Sequence, residues 1–550
     1  MRLLDTPRST FLVLALFILP SNRTLGDDPK TAQPSRSAEA DERFRQGVDL
    51  ERKRNWSGAM EIYQEALTDD PGRTDLRQRL SLCEAHYKLN RRYQDASFRN
   101  VLLRLPADKS LDLFDEILER IEAQYVEPVA LEPLIRRGLD NLEIALRDPA
   151  FLEANAPGVS ADRIRQLRAT LQSYRERVFV PGRTEARTFL VWACGEAHTR
   201  AGIGPAPIIL EFTYGACDAL DDYTSYLTPD KLDDLFGLID GNFVGLGVEL
   251  KQDERGLRLV NVLAGGPAAE AGIRVGEKIT HVAGQSLAGL GLDDSAGRLQ
   301  GAEGTAVEVV VLAKNGQSRK LSLTRRPVEV RSVSQSRMIS EADGVGYIQL
   351  TGFQKTSTEE LRTAISGLQR NGLRYLVLDL RGNPGGLLNV AVDIADLFLD
   401  QGVIVTTRGR ASNQTAVYRA QPGAPWRMPV AVLVDHDSAS ASEILAGALK
   451  ENRRAIIMGE RSYGKGSVQS IFPLRTAEAG LKLTTAKFYS PRDHAYSETG
   501  VEPDVTITSR ISAKPARGVE APVIEFGDPA SDPVLGRAIE QARRQLSTTR

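Results

Sequence analysis

The serine run SASAS (438–442) and a lysine, Lys465, set between two glycines are the residues best suited to chemistry in this chain. The serines follow the apolar run AVLV (431–434) and lead into a segment whose Ile444, Leu445, Ala448 and Leu449 recur at helical spacing. A serine at such a strand-to-helix turn projects its hydroxyl from the sheet edge. The first helical N–H groups then point at whatever oxyanion forms there. Ala439 and Ala441 leave room for a substrate carbonyl. A serine nucleophile needs a base, and none of the five histidines (His86, His198, His281, His436, His494) sits in a motif that points to a serine. His436, on the incoming turn, reads as a turn residue. A lysine serves when burial lowers its pKa enough to leave a neutral amine near neutral pH, and Ser–Lys pairs are an accepted variant of the triad. In YGKGSVQ (463–469) the glycines let Lys465 approach another chain segment closely.

GERSYGK (459–465) is also a near match to the phosphate loop GxxxxGK[ST]. Gly466 stands where the Mg²⁺-binding hydroxyl belongs, and no clear helix follows. The loop RGNPGG (381–386) comes after the apolar run YLVLDL (375–380), and its glycines can present N–H groups to an anion.

These segments resemble the carboxyl-terminal processing (tail-specific) proteases over roughly residues 205–508. The resemblance is carried by SASASEILAGAL (438–449), GERSYGKGSVQ (459–469), VLDLRGNPGGLL (377–388), FVGLGVEL (243–250), GLKLTTAKFYSP (480–491) and GVEPDV (500–505). It implies Ser440 as nucleophile, Lys465 as general base and Gln469 as the residue that orients the lysine amine. The 25-residue step from Ser440 to Lys465 fits the family pattern and selects Ser440 over Ser438 and Ser442. It further implies oxyanion donors at Ala441 and Gly386, with Gly385 as second choice, and no metal or organic cofactor. FVGLGVEL resembles the carboxylate-binding loop of PDZ domains, and GGPAAEAGIRVGEKITHVAG (265–284) continues that pattern. Adjacent N–H groups at Gly245, Leu246 and Gly247 would capture a peptide C-terminus while the peptide adds as a strand. Departures from the family are DHD (435–437), where members often carry Asn and Gly, and an apparent insertion at about 150–205.

The elements that must position these residues follow from periodicity. Residues 27–38 read as a polar linker. Gly47, Ala59, Tyr63, Ala66 and Pro71 match the small and aromatic positions of a tetratricopeptide repeat, a helical hairpin of about 34 residues. A plain hairpin packed on the next domain fits equally, because one and a half repeats cannot bury a solenoid core. Helical patterning continues to about 242, with Leu113, Phe114, Ile117, Leu118 and Ile121 on one face. Residues 243–328 alternate like the short strands of a small β-rich PDZ domain. From 329 to 510 strands and helices alternate, with VGYIQL, YLVLDL and VAVLVD as continuous apolar runs. The expected fold is multidomain α/β: a tetratricopeptide-like helical region (39–105), a helical part with the insertion (106–242), the PDZ domain, and a layered protease core of the ClpP/crotonase-like type. A loose tail (511–550) with a short helix near 533–545 closes the chain.

At 550 residues the chain exceeds one core. A net charge of −2 excludes a general bias toward nucleic acid or anionic membrane. Cys83, Cys194 and Cys217 fit either one disulfide or buried thiols, and no Cys/His cluster suggests a metal. Arg2 and Arg8 precede the apolar run Phe11–Leu19, which is too short to span a bilayer but suits a signal peptide over 1–26. The expectation is an exported, periplasmic or otherwise extracytoplasmic endopeptidase acting on proteins with free C-termini, with the N-terminal helices as a surface for a protein adaptor. Two rivals are a silent peptide-binding scaffold, disfavoured by the joint presence of Ser440, Lys465 and Gln469, and a small-molecule esterase, disfavoured by the PDZ-like module.

Overall fold

The computed structural model describes residues 34–175, 177, 179–508 and 526–548, together with a two-residue strand, Val13–Leu14, on the edge of Ser467–Pro473. Apart from that strand, the expected signal peptide lies outside the described residues, as do 509–525. The first helix, Pro34–Arg52, begins inside the expected linker. It packs against Trp56–Asp69, and the crossing is tight because Gly47 faces Tyr63: a Cβ on Gly47 would stand 2.5 Å from Tyr63 Cζ and closer still to Cε1. Ala59, Tyr63 and Ala66 are buried there, and Pro71 follows the end of the second helix. The next helix, Thr74–Gln94, runs out of this hairpin and delivers Leu89 and Tyr93 into the following core.

That core is built by the helices Ala107–Gln124, Leu131–Ala145 and Pro205–Asp218. Gly138 and Gly215 let the last two touch backbone to backbone. The segment read as an insertion forms Pro149–Asn155, Ala161–Arg175 and Arg183–Ala201, and its Phe151, Leu167, Leu190 and Ala193 are buried in the same core. All three cysteines are free thiols. Among the described residues no helix is long and apolar enough to cross a membrane.

The stem strands Asn242–Gly245 and Arg326–Glu329 pair antiparallel and carry a separate β-domain between them. Its sheet runs in the order Val248–Asp253, Gly256–Val262, Lys278–Val282, Ala306–Leu312, Ser318–Thr324, with a short helix Leu292–Gly297 against the first two strands.

The protease core holds a six-stranded sheet in the order Val333–Ser340, Val345–Leu350, Tyr375–Asp379, Val430–Val434, Ala455–Gly459, Val505–Thr506. All neighbours are parallel except the first pair. Helices Ser357–Arg370, Leu388–Asp396 and Ala441–Glu451 cover one face, against Ile348, Leu378, Val432 and Ile457. Val345, Tyr347, Val377 and Leu433 point to the other face, which is covered by the C-terminal helix Pro533–Thr548. The short helix expected near 533–545 is present, but the expectation of a loose tail is corrected for the described residues 526–548. Val534, Leu535, Ala538 and Ala542 are buried because the sheet's alternate residues are apolar on both faces and need a second cover. A second sheet, with Ser467–Pro473, Gly480–Tyr489, Val403–Gly409 and Ala416–Arg419 in that order, joins this core to the helical region through Phe472, Leu481 and Leu483.

Candidate active site

Ser440 sits at the turn from strand Val430–Val434 into helix Ala441–Glu451, with φ 56° and ψ −111°. A non-glycine residue in that region is strained by roughly 1–3 kcal/mol and persists only where its surroundings over-determine it. The over-determination comes from Glu443. Its Oε2 accepts from the N–H of Ser440 at 2.7 Å and from the N–H of Lys465 at 2.9 Å. Its Oε1 accepts from Ser462 Oγ and Gly464 N, both at 2.6 Å. One fully buried carboxylate therefore ties the serine turn to the lysine loop. Burial pushes the Glu443 carboxyl upward, and the four donors oppose that shift. Ser462 Oγ in turn accepts from Val501 N at 2.7 Å, which brings in the GVEPDV segment. Ser440 Oγ is buried with no hydrogen-bond partner among the described residues.

The Ser440 hydroxyl is thus left over for chemistry, and the S-x-x-E spacing that produces the Glu443 bond is the helix-start pattern of a capping box. That spacing was the signal in the sequence that could have marked Glu443.

Lys465 is 2% exposed. Burial lowers its pKa to about 7, with the nearby Lys482 charge acting in the same direction. Its Nζ lies 4.6 Å from the centroid of the Tyr223 ring, a residue of the helical region that sequence reasoning did not single out. Gln469 is buried on strand Ser467–Pro473; its Nε2 donates to Ser467 Oγ and Thr484 Oγ1, and its Oε1 has no hydrogen-bond partner among the described residues. A buried amide oxygen in that condition is an acceptor awaiting an N–H. The loop 460–466 leads from strand to strand, so the GERSYGK segment lacks the helix N-terminus that a phosphate loop requires. His436 is exposed and pairs with its neighbour Asp437.

The RGNPGG loop packs on the serine turn. A Cβ on Gly385 would stand 3.0 Å from both Ser440 Cβ and Ala441 N. The loop is stiffened by Asn383, whose Nδ2 donates to Leu350 O at 2.7 Å and whose carbonyl accepts from Ala439 N and Ser442 Oγ. Gly385 N donates to Asn383 Oδ1 at 2.8 Å, so its N–H is spent. The N–H groups of Gly386 and Ala441 donate to no acceptor among the described residues. Of the two glycines, Gly386 is the one with a donor to offer. It has φ +146°, which suits glycine.

In the β-domain, Gly245 is the last residue of the stem strand rather than part of the loop. Leu246 is buried and its carbonyl accepts from Ala268 N at 3.0 Å. Gly247, at φ +73°, turns the chain within 3.1 Å of Gly266 Cα for any added Cβ. The N–H groups of Leu246 and Gly247 donate to no acceptor among the described residues.

The family model described as Peptidase family S41 matches residues 344–507, which include Gly386, Ser440, Lys465 and Gln469. A PDZ domain model matches residues 259–312, beginning after the Leu246–Gly247 turn. The carboxy-terminal-processing protease of Bartonella bacilliformis is 36% identical over 303 residues, covering 54% of this chain and 68% of that protein. The carboxyl-terminal-processing protease of Synechocystis sp. is 34% identical over 327 residues, covering 58% of this chain and 73% of that protein. A solved photosystem II D1 C-terminal processing protease is similar over 72% of this chain and 93% of that chain, at 26% identity and a TM-score of 0.40.

Proposed function

Because this chain belongs to the carboxyl-terminal-processing protease family, we propose that it is an exported endopeptidase that works by a Ser440–Lys465 acyl-enzyme mechanism and reads the tails of its protein substrates. The neutral Lys465 amine takes the Ser440 Oγ proton as the oxygen attacks the scissile carbonyl. The N–H groups of Gly386 and Ala441 receive the oxyanion. Collapse breaks the peptide C–N bond, and the lysine ammonium hands its proton to the leaving amine. Water, deprotonated by the neutral Lys465 amine, then attacks the ester, and the ammonium returns its proton to Ser440 Oγ as the acyl C–O bond breaks. Gln469 Oε1 accepts an N–H of the lysine and aims its lone pair. The observation that carries this reading is the shared Glu443 carboxylate. It holds the backbone of a strained, buried serine beside that of a lysine whose pKa is lowered to about 7. A serine-reactive probe should label Ser440. Ser440→Ala and Lys465→Ala should each lower the cleavage of an unfolded protein by at least about 10³-fold, since nucleophile and base act as a unit. Near wild-type turnover by either variant defeats the mechanism.

Tail recognition belongs to the Leu246–Gly247 turn, whose free N–H groups suit a carboxylate. Peptides with a free C-terminus should therefore be cleaved with lower KM than their C-terminal amides. Equal KM values would leave the PDZ domain a gating role only. The helical hairpin at 34–69 offers a surface for an adaptor, and the basic and apolar start of the chain (Arg2, Arg8, Phe11–Leu19) is the basis for export.

A further inference from the structure

The C-terminal segment meets the oxyanion loop at one buried point. Arg381, the first residue of RGNPGG, extends its guanidinium to Asp532, the residue just before helix Pro533–Thr548. Its Nε and Nη2 donate to Asp379 at 2.9 and 2.6 Å. Its Nη1 and Nη2 donate to the two carboxylate oxygens of Asp532 at 2.9 and 2.5 Å. The side chains of Asp379 and Asp532 are fully buried and that of Arg381 is 2% exposed. The Phe526 ring lies on the guanidinium, its centroid 4.2 Å from Cζ, and Tyr347 Oη donates to Asp379 at 2.8 Å. Asp532 also accepts from Val534 N and Leu535 N, so it caps the C-terminal helix with the same carboxylate.

We infer that Asp532, which lies beyond the residues matched to the protease family, is a positioning residue for the oxyanion loop. This rests on the reading of Gly386 as an oxyanion donor. A guanidinium has five N–H donors and no acceptor, so in this dry site each carboxylate takes one side of the fork. With Asp532 neutralised to an amide, the fork loses its charged acceptor, and one of its N–H groups faces an NH2 that cannot accept. Arg381 must then rotate toward other acceptors. The turn from Gly382 to Gly386 cannot absorb that rotation. Asn383 and Gly385 are locked by their own hydrogen bonds, and Gly382 N is held by Asp435 Oδ1 at 3.0 Å. The turn tilts as a unit, and the Gly386 N–H leaves its line to the oxyanion. Misplacement of about 1 Å by a change remote from the chemistry costs as much as ~10²-fold in rate.

The test compares four full-length variants with the wild type in kcat, KM, Tm and affinity for a peptide boronate that forms a tetrahedral adduct on serine. Asp532→Asn keeps an oxygen to cap the helix and removes the charge that Arg381 meets. Leu535→Ala loosens the same helix on the sheet without touching Arg381. Gly386→Ala probes the oxyanion reading directly. The expected result is a fall in kcat of roughly 10- to 100-fold for Asp532→Asn, with KM within about twofold and boronate affinity falling in step with kcat. Leu535→Ala should lower Tm by at least as much and keep kcat within about twofold. Asp532→Glu, which restores the charge, should recover part of the lost kcat. If Asp532→Asn loses no more kcat than Leu535→Ala, while Gly386→Ala is crippled, the inference about Asp532 falls alone. If Gly386→Ala turns over like the wild type, the oxyanion reading falls and takes this inference with it.

Discussion

The Lys465 amine is useful as a base only in its neutral form, and its burial decides at what pH that form exists. Taken from water into a site roofed by Tyr223, the ammonium is penalised and its pKa drops from the usual lysine range to about 7, helped by Lys482. The sign follows directly. Below the shifted pKa the amine is protonated and cannot accept the Ser440 proton; above it the base is ready. The log of kcat/KM should therefore rise with pH and level off above about 7, with no dependence on His436. A pH–rate profile that is flat from 5.5 to 9, or one that moves in His436→Ala, would remove Lys465 from the role. The serine and the lysine were legible in the sequence because each lies in a short motif with a fixed step between them. Glu443 lies inside the same motif but was passed over. A glutamate in the first turn of a helix usually faces water, and only the fold reveals that four donors from two segments converge on it. Asp532 was invisible for a different reason: its partner lies 151 residues away in the chain.

At the scale of elements, the RGNPGG loop proposed to bind the oxyanion is a place where backbone shape and chemistry would be the same thing. Gly386 adopts φ +146°, and a Cβ there would stand 2.8 Å from the carbonyl carbon of Phe353, whose own N–H is bonded to Gly385 O. Gly386→Ala must push the loop off that strand end, so the donor at 386 moves even though an N–H is retained. The expected loss is about 10²–10³-fold in kcat, the size seen when one oxyanion donor is removed. KM should change far less, and steady-state kinetics on a peptide substrate reads both; a change confined to KM would mean that 386 binds substrate and does not stabilise the transition state. The strands that flank this loop were readable as VGYIQL, YLVLDL and VAVLVD, since a run that is apolar at nearly every position announces burial on both faces. What the pattern did not reveal was the second cover. The segment 526–548 is polar on average, and its Val534, Leu535, Ala538 and Ala542 form a narrow stripe that looks unremarkable until the sheet supplies the other half of the contact.

At the scale of the whole molecule, two hydrogen-bonded supports tie the PDZ domain to the rest of the described residues. One is its stem, the paired strands Asn242–Gly245 and Arg326–Glu329. The other is the N-terminal hairpin. Asn55 Nδ2 donates to Gly289 O at 3.3 Å, and Ser57 Oγ donates to Asp294 Oδ2 at 2.6 Å. The contact is close, because a Cβ on Gly291 would stand 2.9 Å from Ser57 Oγ. Both contacts fall on the segment that contains helix Leu292–Gly297, which packs against the strands following the Leu246–Gly247 turn. The hairpin, read from the sequence as a tetratricopeptide-like surface for a protein adaptor, thus meets the PDZ domain of its own chain. A two-strand stem alone leaves a domain free to swing, and the hairpin contact is the second support that restrains it. Ser57→Asp should undo that support, because it sets a second carboxylate against Asp294 and exchanges a hydrogen bond for like-charge repulsion. Amide hydrogen exchange should then speed up across 289–297 and stay unchanged across 430–470, where the catalytic turn is fixed by Glu443. Adding Asp294→Lys to Ser57→Asp should return protection to 289–297, since the pair is again of opposite sign. Unchanged exchange in the single variant would mean that the stem alone fixes the PDZ domain and that the hairpin merely lies beside it.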